Sequence, residues 1–217
     1  MKKLNLFVFL IGALALSLST VMAGEAKPLF GDKLQDADYN PAVWSMNDKG
    51  ELSANKDAAI WTKVKYGDCK ISMEYKLSKK ANAGLLIQCS DKKNWIPNTI
   101  EIQLLDDAGS EPNYHGNCAF YGYQAPSKVL TKPAGEWNKV VVSISGRKIT
   151  VELNGEIVNK IDTSEWKDCK KGPAGTDIEK KFQGKALADA DPAGYIGLQG
   201  LHGKSSIVYR NLTLETK

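Results

Sequence analysis

Residues 140–161 read VVVSISGRKITVELNGEIVNKI. Two runs within it, 140–144 and 148–153, alternate apolar with polar residues, and Asn154-Gly155 leads into a third at 156–161. Successive side chains of a strand point to opposite faces, so such alternation marks a strand with one face buried and one wet. Asn-Gly between alternating runs is the strongest short hairpin signal, because both residues accept the positive φ of the tight turn.

The same period recurs outward along the chain. In CKISMEYKL (69–77), Cys69, Ile71, Met73, Tyr75 and Leu77 share one face, and Lys70, Ser72, Glu74 and Lys76 the other. In IEIQL (100–104), Ile100, Ile102 and Leu104 oppose Glu101 and Gln103. Further strands are expected at 60–65, 83–89, 117–122, 194–199 and 205–214. One wet face per strand predicts antiparallel sheets, and so many strands predict an all-β sandwich or barrel. Helix signals are poor. Residues 176–183 (TDIEKKFQ) offer a turn or two, with Thr176 as cap and Ile178 and Phe182 four apart. The rest of 162–193, with 90–98 and 107–117, reads as loop, and no repeat or linker divides residues 24–217.

At the N-terminus, Lys2-Lys3 precede an apolar run over 6–18, and Val21-Met22-Ala23 offers the small residues of a cleavage box. This is the pattern of a secretory signal, expected to be removed after Ala23, and the run falls short of the roughly 20 residues of a membrane span. The chain is therefore expected to be exported, to the periplasm or beyond, without a membrane anchor. Without Lys2 and Lys3 the net charge falls from +4 to +2, and no basic run exceeds two residues. That excludes a field for tracking a phosphate backbone, so nucleic acid is not an expected partner. Nothing calls for an obligate protein partner either.

Cys69, Cys89, Cys118 and Cys169 are spaced by 20, 29 and 51 residues. Zinc sites favour close pairs, so structural disulfides or buried thiols are the expectation, with three pairings open. Catalytic signatures such as G-x-S-x-G and H-E-x-x-H are missing, and the chain has only two histidines, His115 and His202. What remains is a polar set that the alternation places off the core: Glu74, Gln88, Glu101, Gln103, Asp106, Gln199, His202 and Arg210. Amides and carboxylates on a sheet face take sugar hydroxyls, and rings such as Trp95 or Tyr123 take a sugar's C–H face. An oligosaccharide or glycoside is thus the expected ligand. Glu101 and Gln103 carry the most weight, since both leave one strand in the same direction between apolar residues. Arg210 breaks the alternation before Leu212, which predicts a bulge that re-aims it, toward a ligand or into a salt bridge.

Glu101-Ile-Gln103-Leu-Leu-Asp106 is similar to the E-x-D-x-x-E strand of laminarinase-like glycosidases, with Gln103 in place of the middle Asp and Asp106 in place of the last Glu. Those departures speak against ordinary retaining hydrolysis by two matched carboxylates. A wider set of motifs occurs in order: Trp44, Gly50-Glu51-Leu52, Tyr66-Gly67-Asp68, Asn82-Ala83-Gly84, Glu101 to Asp106, Ala119-Phe120-Tyr121, Gly135 to Asn138, Asn154-Gly155, Gly197-Leu198-Gln199 and Arg210-Asn211. Together these resemble the 3-keto-disaccharide hydrolase domain family, over about 28–216.

The resemblance implies a concanavalin A-like jelly-roll sandwich of two antiparallel sheets, acting on glycosides whose glucose unit is oxidised at carbon 3. The ketone acidifies the proton on carbon 2. A base can remove it, the aglycone leaves from carbon 1, and water adds to the double bond. By this resemblance Glu101 or His202 serves as base, Gln103 and Arg210 as donors to oxygen, and Glu74 or Asp106 as proton donor or metal ligand. Gln88, Trp95, Tyr121 and Gln199 contact the sugar. A divalent cation such as calcium suits Glu74, Glu101 and Asp106 as hard ligands, though their spacing requires none. Two features depart from the pattern the resemblance implies. Ala83 and Gln88 stand where it has Ser and Arg, and Gln199-Gly-Leu-His202-Gly203 replaces a compact Gln-Asp-His-Gly. The alternative in a different class is a non-catalytic, lectin-like carbohydrate-binding module.

Overall fold

The computed structural model describes residues 24–203 and 205–216; the signal sequence expected at 1–23 lies outside them. Thirteen strands are seen among the described residues. They are β1 (Lys27–Pro28), β2 (Ala37–Asp38), β3 (Trp44–Met46), β4 (Leu52–Ala54), β5 (Ile60–Thr62), β6 (Cys69–Leu77), β7 (Asn82–Cys89) and β8 (Ile100–Leu105), followed by β9 (Trp137–Ser145), β10 (Lys148–Leu153), β11 (Glu156–Asp162), β12 (Tyr195–Leu198) and β13 (Ile207–Thr216). One sheet runs β11-β10-β9-β6-β13-β4-β3, with β1 also on β13, and the other runs β2-β5-β12-β7-β8. All pairings are antiparallel.

The alternation read from the sequence decides which faces meet. Ile71, Met73, Tyr75 and Leu77 of the larger sheet pack against Leu85, Ile87, Ile100, Ile102 and Leu104 of the smaller, all at most 3% exposed. Each such burial contributes about 1.5–3 kcal/mol, which fixes the register, since a slip by one residue would expose the whole set. The β10–β11 hairpin turns at Asn154 and Gly155 with φ of 53° and 93°, and Leu153 pairs with Glu156 as the Asn-Gly signal predicts.

Two bulges matter for the site. Asn211 takes φ 52° where the β13–β6 register shifts between Arg210 and Thr213, so the expected bulge is present. Gln88 takes φ 53° beside a shift in the β12–β7 register, which turns Cys89 onto the outward face with Trp61 and Leu86.

Two expected elements differ. Residues 117–122 are no strand. Cys118 has φ 61°, and Phe120 makes only isolated bridges to Ile102 and Gln124, so the segment borders β8 as an irregular edge. Residues 176–183 contain only a 3-10 turn at Lys180–Phe182, held by Phe182 against Tyr121 and Tyr123 rather than by helical periodicity. Cys89, Cys118 and Cys169 are thiols rather than cross-links in this structure; the first two are fully buried and pack as small apolar groups, and Cys169 is partly exposed. Desolvation pushes the Cys89 thiol up to about 11 and the Cys118 thiol higher still, which makes both poor nucleophiles.

Candidate active site

β8 leaves two polar side chains, Glu101 and Gln103, on the outward face of the smaller sheet. Across the β7–β8 ladder Leu86 stands opposite Glu101 and Gly84 opposite Gln103. Above this floor, loops close a cavity of about 160 Å³. Its walls bring Asn82, Glu101, Gln103 and Gln199 from strands or strand ends together with Trp95, Ile96, Tyr121, Lys181, Phe182 and His202 from the loops. That is smaller than the roughly 300–1,000 Å³ of drug-sized ligand pockets, so it encloses one ring-sized unit and leaves the rest of a larger ligand outside.

Glu101 is only partly exposed; its backbone carbonyl accepts from Tyr121 N at 2.9 Å, but its carboxylate makes no hydrogen bond or ion pair among the described residues. Burial pushes its carboxyl up to about 7, against the opposing pull of Lys181 and His202. Removing a carboxylate from water without a hydrogen-bonding partner favours the neutral acid, and here that places the group where proton uptake and release are both accessible near neutrality. Gly84 makes the position available. A Cβ there would meet Glu101 Oε1 and sit 2.7 Å from its Cγ, so only a glycine lets the carboxylate lie over β7.

Gln103 is 2% exposed; its Nε2 donates to Asn82 Oδ1 at 3.3 Å, and its Oε1 has no partner. A buried acceptor left unmatched is destabilising unless a ligand donor reaches it. Gln199 is anchored by its backbone, which donates to Gly84 O at 2.9 Å and accepts from the Tyr209 hydroxyl at 3.3 Å. His202 reaches the wall from its exposed loop, with Nδ1 2.8 Å from Asp57 Oδ2. Trp95 packs edge-on to Trp61, with ring centroids 6.4 Å apart.

Opposite β8, Lys181 Nζ lies 4.5 Å above the Tyr121 ring, 3.5 Å from its hydroxyl and 3.2 Å from Glu179 Oε2. Glu179 also pairs with His115 Nε2, and the His115 ring lies 4.8 Å from Tyr121. Burial works against both charges, but their hydrogen bonds override it: Glu179 is held below the usual carboxylate range and Lys181 above the usual ammonium value.

Six residues anticipated from the sequence thus meet here: Glu101, Gln103, Trp95, Tyr121, Gln199 and His202. Four do not. Glu74 and Arg210 face each other on the outward side of the other sheet, where Arg210 Nε donates to Glu74 Oε2 at 2.5 Å and its guanidinium stacks 3.9 Å from the Trp137 ring. The bulge re-aims Arg210 into a salt bridge, not toward the cavity. Asp106 accepts from Lys80 N at 2.8 Å and braces the turn between β6 and β7. Gln88, swung by its positive φ, donates to Pro192 O at 2.9 Å in a separate cavity of about 110 Å³. Tyr123 is buried against Trp166 and Phe182. Glu74, Glu101 and Asp106 are consequently dispersed, and among the described residues no three His, Cys, Asp or Glu side chains converge as a metal cluster. The sequence reading missed Lys181, Phe182, Ile96 and Asn82. The first three sit on loops where no period signals direction, although Asn82 stands in a motif already singled out.

The 3-keto-alpha-glucoside-1,2-lyase-like domain matches residues 25–215, and the chain belongs to that family. It is similar to a Parabacteroides distasonis protein described as a "putative glycosyl hydrolase", with 39% identity and a TM-score of 0.85 over 89% of this chain and all of that one. A second Parabacteroides distasonis protein with the same description shares the fold at 18% identity and TM-score 0.66, over 87% of this chain and 92% of that one. A Bacillus subtilis protein of unknown function with a galectin-like fold aligns at 9% identity and TM-score 0.52, over 90% of this chain and 97% of that one. The architecture is therefore the concanavalin A-like jelly roll, and the relatives define a carbohydrate-related class. Comparison with curated proteins gives no match.

Proposed function

We propose that this protein is an exported enzyme that cleaves 3-keto-glycosides by elimination across carbons 1 and 2, followed by hydration. The observation that carries this reading is Glu101: an unpaired carboxylate in a ring-sized cavity, with its carboxyl raised to about 7. A carbon acid next to a ketone needs one base of that strength, held within reach and dry.

The residues divide the work as follows. Gln103 Oε1 and the side chains of Asn82 and Gln199 take sugar hydroxyls, while Trp95 offers a ring face and Tyr121 lines the wall beneath Lys181. The Glu101 carboxylate removes the proton from carbon 2, and the C–H pair becomes an enolate spread to the carbon-3 oxygen. As the ketone re-forms, the pair makes the carbon 1–carbon 2 double bond and the glycosidic C–O bond breaks. His202, oriented by Asp57, gives a proton to the departing oxygen. In the return half, water adds at carbon 1 and yields a proton to His202, and Glu101 returns one to carbon 2. The net change is hydrolysis.

The test is to incubate the purified protein with a glucose disaccharide and with its 3-keto form in deuterated water, with and without chelator. Release of 3-keto-glucose deuterated at carbon 2 is expected from the oxidised sugar alone. Cleavage of only the unoxidised sugar would sink the mechanism, and binding without turnover would favour a lectin-like module. Export is checked by cell fractionation and N-terminal sequencing, with the mature chain expected to begin after Ala23.

A further inference from the structure

Removing a proton beside a ketone leaves a full negative charge on the ketone oxygen, and general-base chemistry stalls unless something meets that charge. Arg210, the arginine expected from the sequence to donate to oxygen, is not available. Arg210 is spent on Glu74 and Trp137 on the far sheet. Gln88, also expected at the sugar, is neutral, and its side chain is turned into another cavity. The cavity wall nevertheless holds a cation. Lys181 lines it together with Glu101, close enough for its charge to oppose the rise in the Glu101 carboxyl.

We infer that Lys181 is the enolate-stabilising residue of this site, and that Glu179 and His115 are positioning residues that hold its ammonium over the Tyr121 ring. The geometry supports this at each joint. Lys181 is fixed on three sides, by Glu179 Oε2 at 3.2 Å, the Tyr121 hydroxyl at 3.5 Å and the Tyr121 ring face at 4.5 Å. An ammonium has three donors; Glu179 takes one, Tyr121 is a long contact, and at least one remains for a ligand oxygen. Glu179 is held in turn by His115, whose ring packs at a 42° tilt against the same tyrosine. The backbone beneath is seated by Phe182 against Gly122, where a Cβ would come within 2.5 Å of the Phe182 ring. The Lys181 and Glu179 side chains are 44% and 37% exposed, so these contacts hold the ammonium at the rim of the cavity it lines, and a charge placed beforehand meets a developing oxyanion with less reorganisation.

This inference rests on Glu101 as the base, and the experiment separates the two. Enzyme-accelerated exchange of the carbon-2 proton of 3-keto-glucose in deuterated water needs a base and an oxyanion partner but no leaving group. Lys181→Met should slow that exchange and the cleavage of 4-nitrophenyl 3-keto-α-glucoside alike, by roughly 10²–10³-fold in kcat with little change in KM, as loss of one oxyanion donor does. Lys181→Arg should restore a tenth or more of the lost rate. Glu179→Gln should lower kcat less than Lys181→Met does, again with KM unchanged. Exchange at the wild-type rate in Lys181→Met, with only slow-leaving aglycones affected, would overturn the assignment and make Lys181 a leaving-group acid. A rise in KM alone would also overturn it, leaving Lys181 a mere binding group. Absence of both exchange and cleavage in the wild type would instead refute the proposed function.

Discussion

The two outward faces of this sandwich carry nearly the same ingredients and put them to opposite use. On the larger sheet, Glu74 and Arg210 stand across a strand pair with Trp137 beside them. On the smaller, Glu101 lies over Gly84 with Trp95 and Lys181 around it. Glu74 is satisfied: it accepts from Arg210 Nε and from Asn211 Nδ2 at 3.1 Å. The Glu101 carboxylate accepts from nothing among the described residues, and burial under the loops raises its carboxyl. The difference teaches that a carboxylate becomes a proton-transfer group through what is withheld from it. Pairing makes a surface ion pair worth under about 1 kcal/mol, whereas desolvation stores free energy in the group itself.

Substitutions can break this contrast. The largest effect is expected for Glu101→Gln, which should cut turnover by roughly 10²–10⁴-fold, the span of general-base contributions. The same variant should be more stable than the wild type at pH 8. Because the folded carboxyl is raised to about 7 from the ordinary 4.5, the folded state holds the proton more tightly, and wild-type stability falls as pH rises from about 4.5 to 7. The glutamine removes that penalty, a gain of roughly 1–3 kcal/mol at pH 8 that fades below pH 4.5, readable by urea melts at both pH values. Gly84→Ala comes next. Its methyl group must push the carboxylate aside, and misplacement by about 1 Å is expected to lower kcat roughly 10²-fold while the fold survives. Gln103→Leu removes the unmatched acceptor and should cost roughly 1–3 kcal/mol in kcat/KM, without loss of stability. Arg210→Met is the smallest: kcat unchanged and stability altered by no more than about 1 kcal/mol. A large loss of activity in Arg210→Met would erase the distinction between the faces.

The period-two alternation carried most of the fold because burial enforces it. Strands with an apolar face of three to five residues, such as 69–77 and 148–153, lie where that face demands. It failed where backbone conformation rather than side-chain polarity set direction. Cys118 and Gln88 take positive φ although neither is glycine, so one interrupts an expected strand and the other aims its amide away from the cavity. The site was half legible for the same reason. Glu101 and Gln103 announce themselves as two polar residues leaving one strand in the same direction. Glu74 does so equally, and only the tertiary neighbour Arg210 shows that its polarity is answered on the surface. Lys181 has no such signature, since the 3-10 turn that carries it is held by Phe182 packing and by Glu179, both of which depend on the finished fold.

The central claim is that Glu101 is an unpaired, desolvated base, and its own titration tests this most directly. With carboxyl-labelled glutamate, the carbon-13 NMR resonance that disappears in Glu101→Gln should titrate in the wild type with a midpoint near 7. A midpoint near the ordinary glutamate value of about 4.3 would contradict the account, since the carboxylate would then be solvated or paired as on the opposite face.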